Sequence, residues 1–431
     1  MKNHSPARNM HVFFIVWAGQ TASIVGSALT SFALGIWVYQ QTGSFTQFAL
    51  IGLFTVLPRV LLSPLAGVLV DRWSRRMVMI LADAGAGVCT LALALLFHAG
   101  TIEIWHIYLL SGISAVFGTL QWPAYSAATT LLVNKEQLGR ANGMIQLGQA
   151  LSEILAPALA GVLVLTTHVQ GVILVDFATF LIAVGTLLFV RFPEPAKKPT
   201  TSTGIASLWS EMGFGWRYIV ARPGLLGLLV FFALVNFLWG MVGALITPMI
   251  LGFASADLLG IIISIAGIGM LCGSLIMSAW GGPKNQVAGI LLFELSSGIC
   301  FMLIGLRPWA WLVALGVFGA HLTIAVINGS NQTIWQRKVA PEIQGRVFAT
   351  RQMIARSTAP LAYAIAGPLA DRVFEPLVNA GGFTQIVGAG VGRGVGLLFI
   401  VMGIVKVAIS LGAYLSPRIR HIEEELPEAV P

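Results

Sequence analysis

The stretch GVLVDRWSRR, Gly67 to Arg76, places one aspartate and three arginines within six positions, from Asp71 to Arg76. Long, mostly apolar runs lie on both sides of it. Soluble domains carry about 25% charged residues, whereas this chain of 431 residues is 10% charged and 57% hydrophobic. A charged segment between two long apolar runs predicts a short loop that joins two membrane-spanning helices.

The composition excludes most functions of soluble proteins. The net charge of +8 would suit a nucleic acid, but the basic residues form no face with interleaved aromatic residues, so we expect no nucleic-acid partner. The three cysteines, Cys89, Cys272 and Cys300, lie in apolar runs without the spacing of metal ligands. The common nucleotide-binding and hydrolase motifs are also missing. We therefore expect no metal site, no catalytic residues and no cofactor.

Twelve apolar runs are long enough to cross a bilayer as helices, which takes about 20 residues. They cover residues 11–39, 46–70, 77–99, 106–132, 140–166, 170–190, 225–251, 258–279, 287–306, 310–336, 346–370 and 392–415. Strands are excluded because open sheet edges cannot lie in lipid. The first run is too long for the apolar core of a signal peptide, so we expect it to remain as a helix. The sequence thus predicts an all-α membrane protein.

Basic residues predict the orientation of these helices, because lysine and arginine are enriched in cytoplasmic loops. With the N-terminus in the cytoplasm, eighteen of the 25 basic residues fall in inner segments. Three others, Arg307, Arg372 and Arg393, fall in outer loops. We therefore expect both termini to be cytoplasmic.

The two halves of the chain resemble each other. VNKEQLGR at Val133–Arg140 returns 206 residues later as VAPEIQGR at Val339–Arg346, and Asp83 in the third run matches Glu294 in the ninth. A repeat of half the chain after an even number of spans predicts two parallel six-helix bundles. The predicted organisation is an N-terminal bundle, a cytoplasmic linker, a C-terminal bundle and a cytoplasmic tail, at residues 1–190, 191–224, 225–415 and 416–431.

The charged loop resembles the signature G-x-L-x-D-R-x-G-R-R between the second and third spans of the major facilitator superfamily, with Ser74 in place of one glycine. The matching residues are Gly67, Leu69, Asp71, Arg72, Arg75 and Arg76. LGRANG after the fourth span and GPLADRVFEP at Gly367–Pro376 resemble the branch of macrolide-efflux-like and siderophore-exporter proteins. The resemblance implies a monomeric transporter of the bacterial inner membrane, with two pseudo-symmetric bundles that work by alternating access.

A second family motif, the G-x8-G-x3-G-P-x2-G-G of drug antiporters, appears in the fifth span in a degenerate form. Each glycine is kept or replaced by alanine or serine, which preserves close helix packing. The residues in register are Gly143, Ser152, Ala156, Pro157, Ala160 and Gly161. The match favours export, although the fourth span lacks the arginine that drug antiporters of the family often use in proton coupling.

Two interpretations of the charged loop remain open. In the first, its arginines are a topological signal that holds the loop inside. In the second, the loop is a conformational latch formed by Gly67, Asp71, Arg72, Arg75 and Arg76. Asp71 would then cap a helix N-terminus, and the arginines would pair across the halves in one state of the transporter.

Ionisable residues near the bilayer centre cost about 2.5–3.5 kcal/mol each and are functional candidates. The candidates for proton coupling are Glu153, Arg59, Asp83 and His321. Glu153 is the first choice, and a permanent ion pair between Glu153 and Arg59 is the structural alternative. We expect Asp83 to pair with an arginine near the cytoplasmic face. His321 has the alternative of an ordinary, hydrogen-bonded polar residue.

In this family, spans one, four, seven and ten line the central cavity, and spans two, five, eight and eleven flank it. The candidate cargo contacts are Gln20, Trp37, Arg59, Gln121, Trp122, Asn236, Trp239, Asn328, Asn331, Trp335 and Arg356. Amphipathic surfaces of this kind bind bulky, partly apolar ligands, and Arg356 suits a ligand with an anionic end. The predicted function is efflux of a small amphipathic antibiotic, drug or siderophore, driven by the proton gradient. The alternatives are a lipid or lysolipid flippase of the same fold and a non-transporting membrane receptor.

Overall fold

The computed structural model describes residues 10–134, 137–190, 192, 205–340 and 343–425. These residues are almost entirely helical, and no strand occurs among them. Ten of the described helices are long and apolar enough to cross a membrane. The prediction of an all-α membrane fold is confirmed.

The first half of the chain contains five long helices whose ends lie within a few residues of the predicted spans. They are α1 at Met10–Thr42, α2 at Phe45–Arg72, α3 at Arg75–His98, α4 at Ile104–Leu132 and α5 at Leu138–Phe189. Gly43, with a φ of 61°, forms the tight turn between α1 and α2, a conformation that glycine adopts without strain. The charged segment covers the end of α2, a break of two residues and the start of α3.

The fifth and sixth predicted spans both lie within α5, and no loop separates them. The helix is kinked at His168, whose φ of 57° and ψ of −179° lie outside the helical region. This conformation is strained for a residue that has a side chain. Because the kink falls between the predicted ends at 166 and 170, α5 consists of two segments that are each of about membrane length.

The described part of the second half contains one short amphipathic helix, six long helices and, before the tail, two shorter ones. They are α6 at Ile205–Val220, α7 at Pro223–Leu251, α8 at Ala256–Trp280, α9 at Gln286–Leu306, α10 at Ala310–Lys338, α11 at Gln344–Leu369, α12 at Glu375–Asn379, α13 at Thr384–Val387 and α14 at Arg393–Leu415. A π-helical turn at Ala370–Phe374 joins α11 to α12. The interval predicted as a linker therefore contains a helix, because α6 places apolar residues at helical spacing along one face.

The chain folds as two compact units. The first unit comprises Met1–Gln41 and Ile51–Leu208, and the second unit comprises Thr42–Leu50 and Trp209–Pro431. The first six residues of α2 thus belong to the second unit, which the repeat in the sequence did not predict. Each unit buries its own apolar core, around Leu187 in the first and around Trp335 in the second. Since lipid is as apolar as these side chains, helix association depends on close packing and on polar contacts.

The described part of the C-terminal tail is folded against the second unit. It forms two short helices, α15 at Pro417–Arg420 and α16 at Ile422–Glu425. The carboxylate of Glu423 accepts hydrogen bonds from the backbone N–H groups of Gln286, at 3.2 Å, and Val287, at 3.1 Å. The tail therefore caps the N-terminus of α9, where free N–H groups need acceptors.

Candidate functional site

Asp83 is a buried acid of the first unit whose partners are amide groups. Its carboxylate, on α3, is 4% exposed and accepts hydrogen bonds from Gln20 Nε2 of α1, at 2.7 Å, and Gln121 Nε2 of α4, at 2.9 Å. Gln121 Nε2 also donates to Gln20 Oε1. The predicted arginine partner is wrong, because α1 and α4 place glutamines at the level of Asp83. The nearby Arg76 binds the end of α5 instead.

These contacts limit what Gln20 and Gln121 can do in this structure. Both were candidate cargo contacts, but their amides are engaged with Asp83, and Gln20 is 2% exposed. The three residues join α1, α3 and α4 through one carboxylate. A role for the two glutamines in cargo binding stays a prediction and requires this cluster to open.

The matching acid of the second unit has a cation as its partner. Glu294 of α9 and Lys406 of α14 form an ion pair at 2.8 Å, with side chains 1% and 0% exposed. Lys406 Nζ also donates to Ser297 Oγ at 2.7 Å. The ammonium group lies 4.5 Å from the ring centre of Phe301 and 5.0 Å from that of Trp239, within the range of cation–π attraction. Pairing and hydrogen bonding together compensate the burial of these charges.

His321 of α10 contacts this cluster through Trp239. The two rings pack edge to face with their centres 5.3 Å apart. Nδ1 of His321 lies 2.9 Å from the Val317 carbonyl oxygen, so it carries a hydrogen and donates it. This hydrogen bond is what we expect if His321 is an ordinary polar residue of the helix interior. A role for His321 in proton coupling stays a prediction.

The structure does not bring Arg59 and Glu153 together. Both side chains are exposed, and no ion pair joins them among the described residues. The Arg59 guanidinium lies near Gly118 of α4, whereas Glu153 is an exposed residue of α5. The permanent ion pair that was the structural alternative is therefore not formed here, and the coupling role of Glu153 stays a prediction.

The antiporter-type motif lies in the segment of α5 that contains Glu153, with Ala156 and Pro157 one helical turn after it. Its described members are buried, and they are Ser152, Ala156, Pro157, Ala160 and Gly161. The Ser152 hydroxyl donates to the carbonyl of Ile24 in α1 at 3.3 Å. These small residues allow the close contact between helices that such motifs provide in membranes. Gly143 lies outside the residues whose surroundings the structure describes.

The other cargo candidates differ in the surface that they leave accessible. Trp122, Asn328 and Arg356 are exposed, Trp37, Asn236 and Trp239 are half-buried, and Asn331 and Trp335 are buried. Trp335 instead supports Arg351, whose guanidinium lies 5.2 Å from its ring centre and donates to Gln332 at 2.9 Å. In this structure, the exposed and half-buried candidates retain surface for contact with cargo.

Two of the proposed latch residues have described side chains. The others, whose side chains lie outside the described part of the chain, are Gly67, Asp71 and Arg72. Arg76 donates from its guanidinium to the carbonyls of Leu187 and Leu188, both at 2.8 Å. It caps the C-terminus of α5, where carbonyl groups are free and carry partial negative charge. Arg75 and Arg76 belong to the same unit, and the latch role of all five residues stays a prediction.

Asp371, in the π-helical turn after α11, caps the start of α2. It accepts hydrogen bonds from the N–H groups of Phe45, at 3.1 Å, and Thr46, at 2.9 Å, and from the hydroxyls of Ser44, at 2.8 Å, and Thr46, at 2.6 Å. The Phe45 and Thr46 N–H groups belong to the first turn of α2 and have no acceptor within the helix, and Ser44 directly precedes that turn. Gly367, one turn before Asp371, lies so close to Thr46 that a β-carbon would overlap its backbone. The sequence contained this acid within GPLADRVFEP, but its partner was not predicted.

The beginning of α14 carries a buried arginine. Arg393, which was predicted in an outer loop, is 1% exposed and donates to the carbonyls of Val387 and Gly305, both at 2.6 Å. Glu375, outside the spans, accepts a hydrogen bond from the Val395 N–H at 3.2 Å. Burial raises the pKa of Glu375, and this backbone hydrogen bond opposes the shift. These contacts fix the segment between α11 and α14.

Comparisons with known proteins agree with this fold. The chain matches the Major Facilitator Superfamily over residues 16–363. It is 27% identical over 367 residues to macrolide efflux protein A of Streptococcus pyogenes, covering 84% of this chain and 90% of that protein. It is 26% identical over 356 residues to the enterobactin exporter EntS of Shigella flexneri, covering 80% of this chain and 82% of that protein. The fold is similar to a solved structure of a bacterial homologue of the human lysosomal transporter Spinster, with a TM-score of 0.73 and 14% identity. The match covers 98% of this chain and 99% of that chain.

The helical architecture, the family match and the similar solved structure define a multi-pass membrane transporter. The chain belongs to the Major Facilitator Superfamily, and it is not an enzyme. The resemblance carried by the charged loop and by GPLADRVFEP is confirmed, including the branch of macrolide-efflux and siderophore-exporter proteins.

Proposed function

We propose that this protein exports a bulky amphipathic small molecule, such as an antibiotic, a drug or a siderophore-like compound, in exchange for protons. The observation that carries the proposal is its similarity, over four fifths or more of the chain, to relatives named for macrolide efflux and enterobactin export. The exposed and half-buried aromatic and amide side chains supply the mixed surface that such a cargo needs. Among them, Arg356 suits a cargo with an anionic end.

Proton coupling requires a group whose proton affinity differs between two states of the protein. Asp83 fits this requirement, because its carboxylate is buried between amide groups contributed by two other helices. A shift of α1 or α4 would remove these donors and change the free energy of the charged form. The gradient supplies about 2.3 kcal/mol per charge per 100 mV, in addition to the pH term.

The topology belongs to the same proposal. The ten apolar helices give twelve crossings when α5 crosses on both sides of His168 and α11 is added. An even number of crossings and the distribution of basic residues support two cytoplasmic termini in the bacterial inner membrane. We expect the transporter to work as a monomer.

The test is transport of erythromycin in proteoliposomes with an imposed pH gradient. We expect accumulation against the erythromycin gradient, abolished by a protonophore. Asp83→Asn should lose this accumulation and keep downhill exchange of erythromycin. Glu153→Gln tests in the same way whether Glu153, the first candidate from the sequence, couples transport to protons. If the wild type moves a fluorescent lysolipid between leaflets and does not accumulate erythromycin, the protein is a flippase and the proposal is wrong.

A further inference from the structure

A second buried acid of the first unit, Asp176, has no part in the site described so far. It lies in α5 beyond the kink and is 1% exposed. Its two oxygens accept hydrogen bonds from the hydroxyls of Ser27 in α1 and Thr90 in α3, each at 3.4 Å. Both distances exceed the 2.5–3.0 Å of an ordinary O–H···O bond. The hydroxyl of Thr30, also in α1, faces this carboxylate without a hydrogen bond of good geometry among the described residues.

Asp176 is therefore a weakly solvated carboxylate. The side chains that face it from α1 and α3 are those of Ser27, Thr30 and Thr90, and none of them is charged. Thr179, on its own helix, donates to the backbone carbonyl of Asp176 and not to its side chain. A carboxylate buried without a cation is costly, and binding a proton removes that cost.

The two buried acids of the first unit lie along one polar seam. Gln20 contacts Asp83, and Ser27 contacts Asp176, so the contacts on α1 are seven residues apart. On α3, Asp83 and Thr90 are also seven residues apart. Seven residues of helix span about 10 Å. The two acids are thus held at two levels of the same α1–α3 interface, about two helical turns apart.

The acid of the second unit that matches Asp83 has a charged partner. Glu294 is neutralised by Lys406 at 2.8 Å, and both are fully buried. In the described part of the first unit, neither Asp83 nor Asp176 has an ion pair. Of these three buried acids, the two without a cation therefore both lie in the first unit.

We propose that Asp176 is a second proton-binding carboxylate and that it takes up and releases a proton in the transport cycle together with Asp83. The step is reversible protonation of the carboxylate, with the proton taken from the outer aqueous phase and released to the cytoplasm. This inference rests on the proton coupling proposed above. It assigns that coupling to the first unit, and to a residue that the sequence did not single out for it.

The test is infrared difference spectroscopy of the full-length protein in lipid, between acidic and alkaline buffer. A protonated carboxyl group in an apolar site gives a C=O stretching band that disappears when the group ionises. We expect Asp176→Asn to remove one component of this band and Asp83→Asn to remove another. The matched control is Glu294→Gln/Lys406→Met, which should leave the band unchanged because Glu294 is already ionised in its pair.

A second variant keeps the test decisive if Asp176→Asn does not fold. Ser27→Ala/Thr90→Val retains the acid and removes both hydroxyl donors, so the band should persist to higher pH because the charged form loses its support. An unchanged band in Asp176→Asn, or an unchanged pH midpoint in the double variant, would overturn the inference. If the band behaves as expected but a pH gradient drives no erythromycin transport in the wild type, the proposed coupling fails and the proton site stands.

Discussion

At the scale of single residues, two acids at matching positions of the repeat are stabilised in opposite ways. Glu294 is paired with Lys406, whereas Asp83 is held by the amides of Gln20 and Gln121. Removing one member of a buried ion pair leaves an uncompensated charge and costs about 3–5 kcal/mol, whereas replacing both members is often neutral. The pair in the second unit is therefore a structural feature whose two members depend on each other.

We expect Lys406→Met to destabilise the protein by about 3–5 kcal/mol, because Glu294 is left charged or must bind a proton to remain buried. Glu294→Gln/Lys406→Met should recover most of this loss, since no charge then remains in the site. Thermal unfolding in detergent measures both variants. Equal destabilisation of the single and double variants would show that the ion pair does not couple the two residues.

At the scale of helices, two carboxylates cap helix N-termini that are distant in sequence. Asp371 caps α2, and Glu423 caps α9. The helix α9 lies entirely within the second unit, whereas α2 passes into the first unit at Ile51. Alternating access moves one half of such a transporter against the other. We therefore expect the cap on α2 to form in one part of the cycle and the cap on α9 to persist throughout.

Asp371→Ala should release the start of α2, because it removes the acceptor of four hydrogen bonds. Loss of a cap costs about 0.5–2 kcal/mol, which corresponds to an increase of about 2- to 30-fold in the open population. The measurement is maleimide labelling of a cysteine at Ala49, which is 1% exposed, in a protein without native cysteines. Glu423→Ala is the matched control and should lower thermal stability without faster labelling. Equal labelling rates in the parent and Asp371→Ala would contradict a role for this cap in opening.

The same helices show what the sequence could predict. Their ends follow from the lengths of apolar runs and from charged breaks such as Asp71–Arg76, so the predicted spans lie within a few residues of the observed ones. Partner choice was less predictable. We predicted an arginine as the partner of Asp83, whereas the structure shows two glutamines, and we did not predict that Asp371 caps α2. Both contacts depend on which helices are neighbours in the fold. The periodicity of a single helix carries no information about its neighbours.

At the scale of the whole molecule, basic residues and helix ends must give a consistent topology. The kink at His168 is decisive, because the long helix α5 can place both of its ends on one side of the membrane only by crossing twice. Lys135 precedes α5 in the sequence and Arg140 lies at its start, and the distribution of basic residues predicts that both are cytoplasmic. The kink should then lie on the outer side. If α5 crosses the membrane on both sides of the kink, the first half has six crossings, and the second half begins on the same side as the first.

We expect single cysteines to label with a membrane-impermeant maleimide according to twelve crossings with both termini inside. The parent protein carries serine in place of Cys89, Cys272 and Cys300. Outer labelling is expected at Thr101, Gln170 and Asn379, and inner labelling, seen after permeabilisation, at Ser74, Asn134 and Lys284. All six positions are exposed in the described structure, so buried side chains do not confuse the result. Asn134 and Gln170 are the critical pair, because the first segment of α5 separates them. Labelling of both from the same side would mean that this segment does not cross the membrane, and the count of twelve would be wrong.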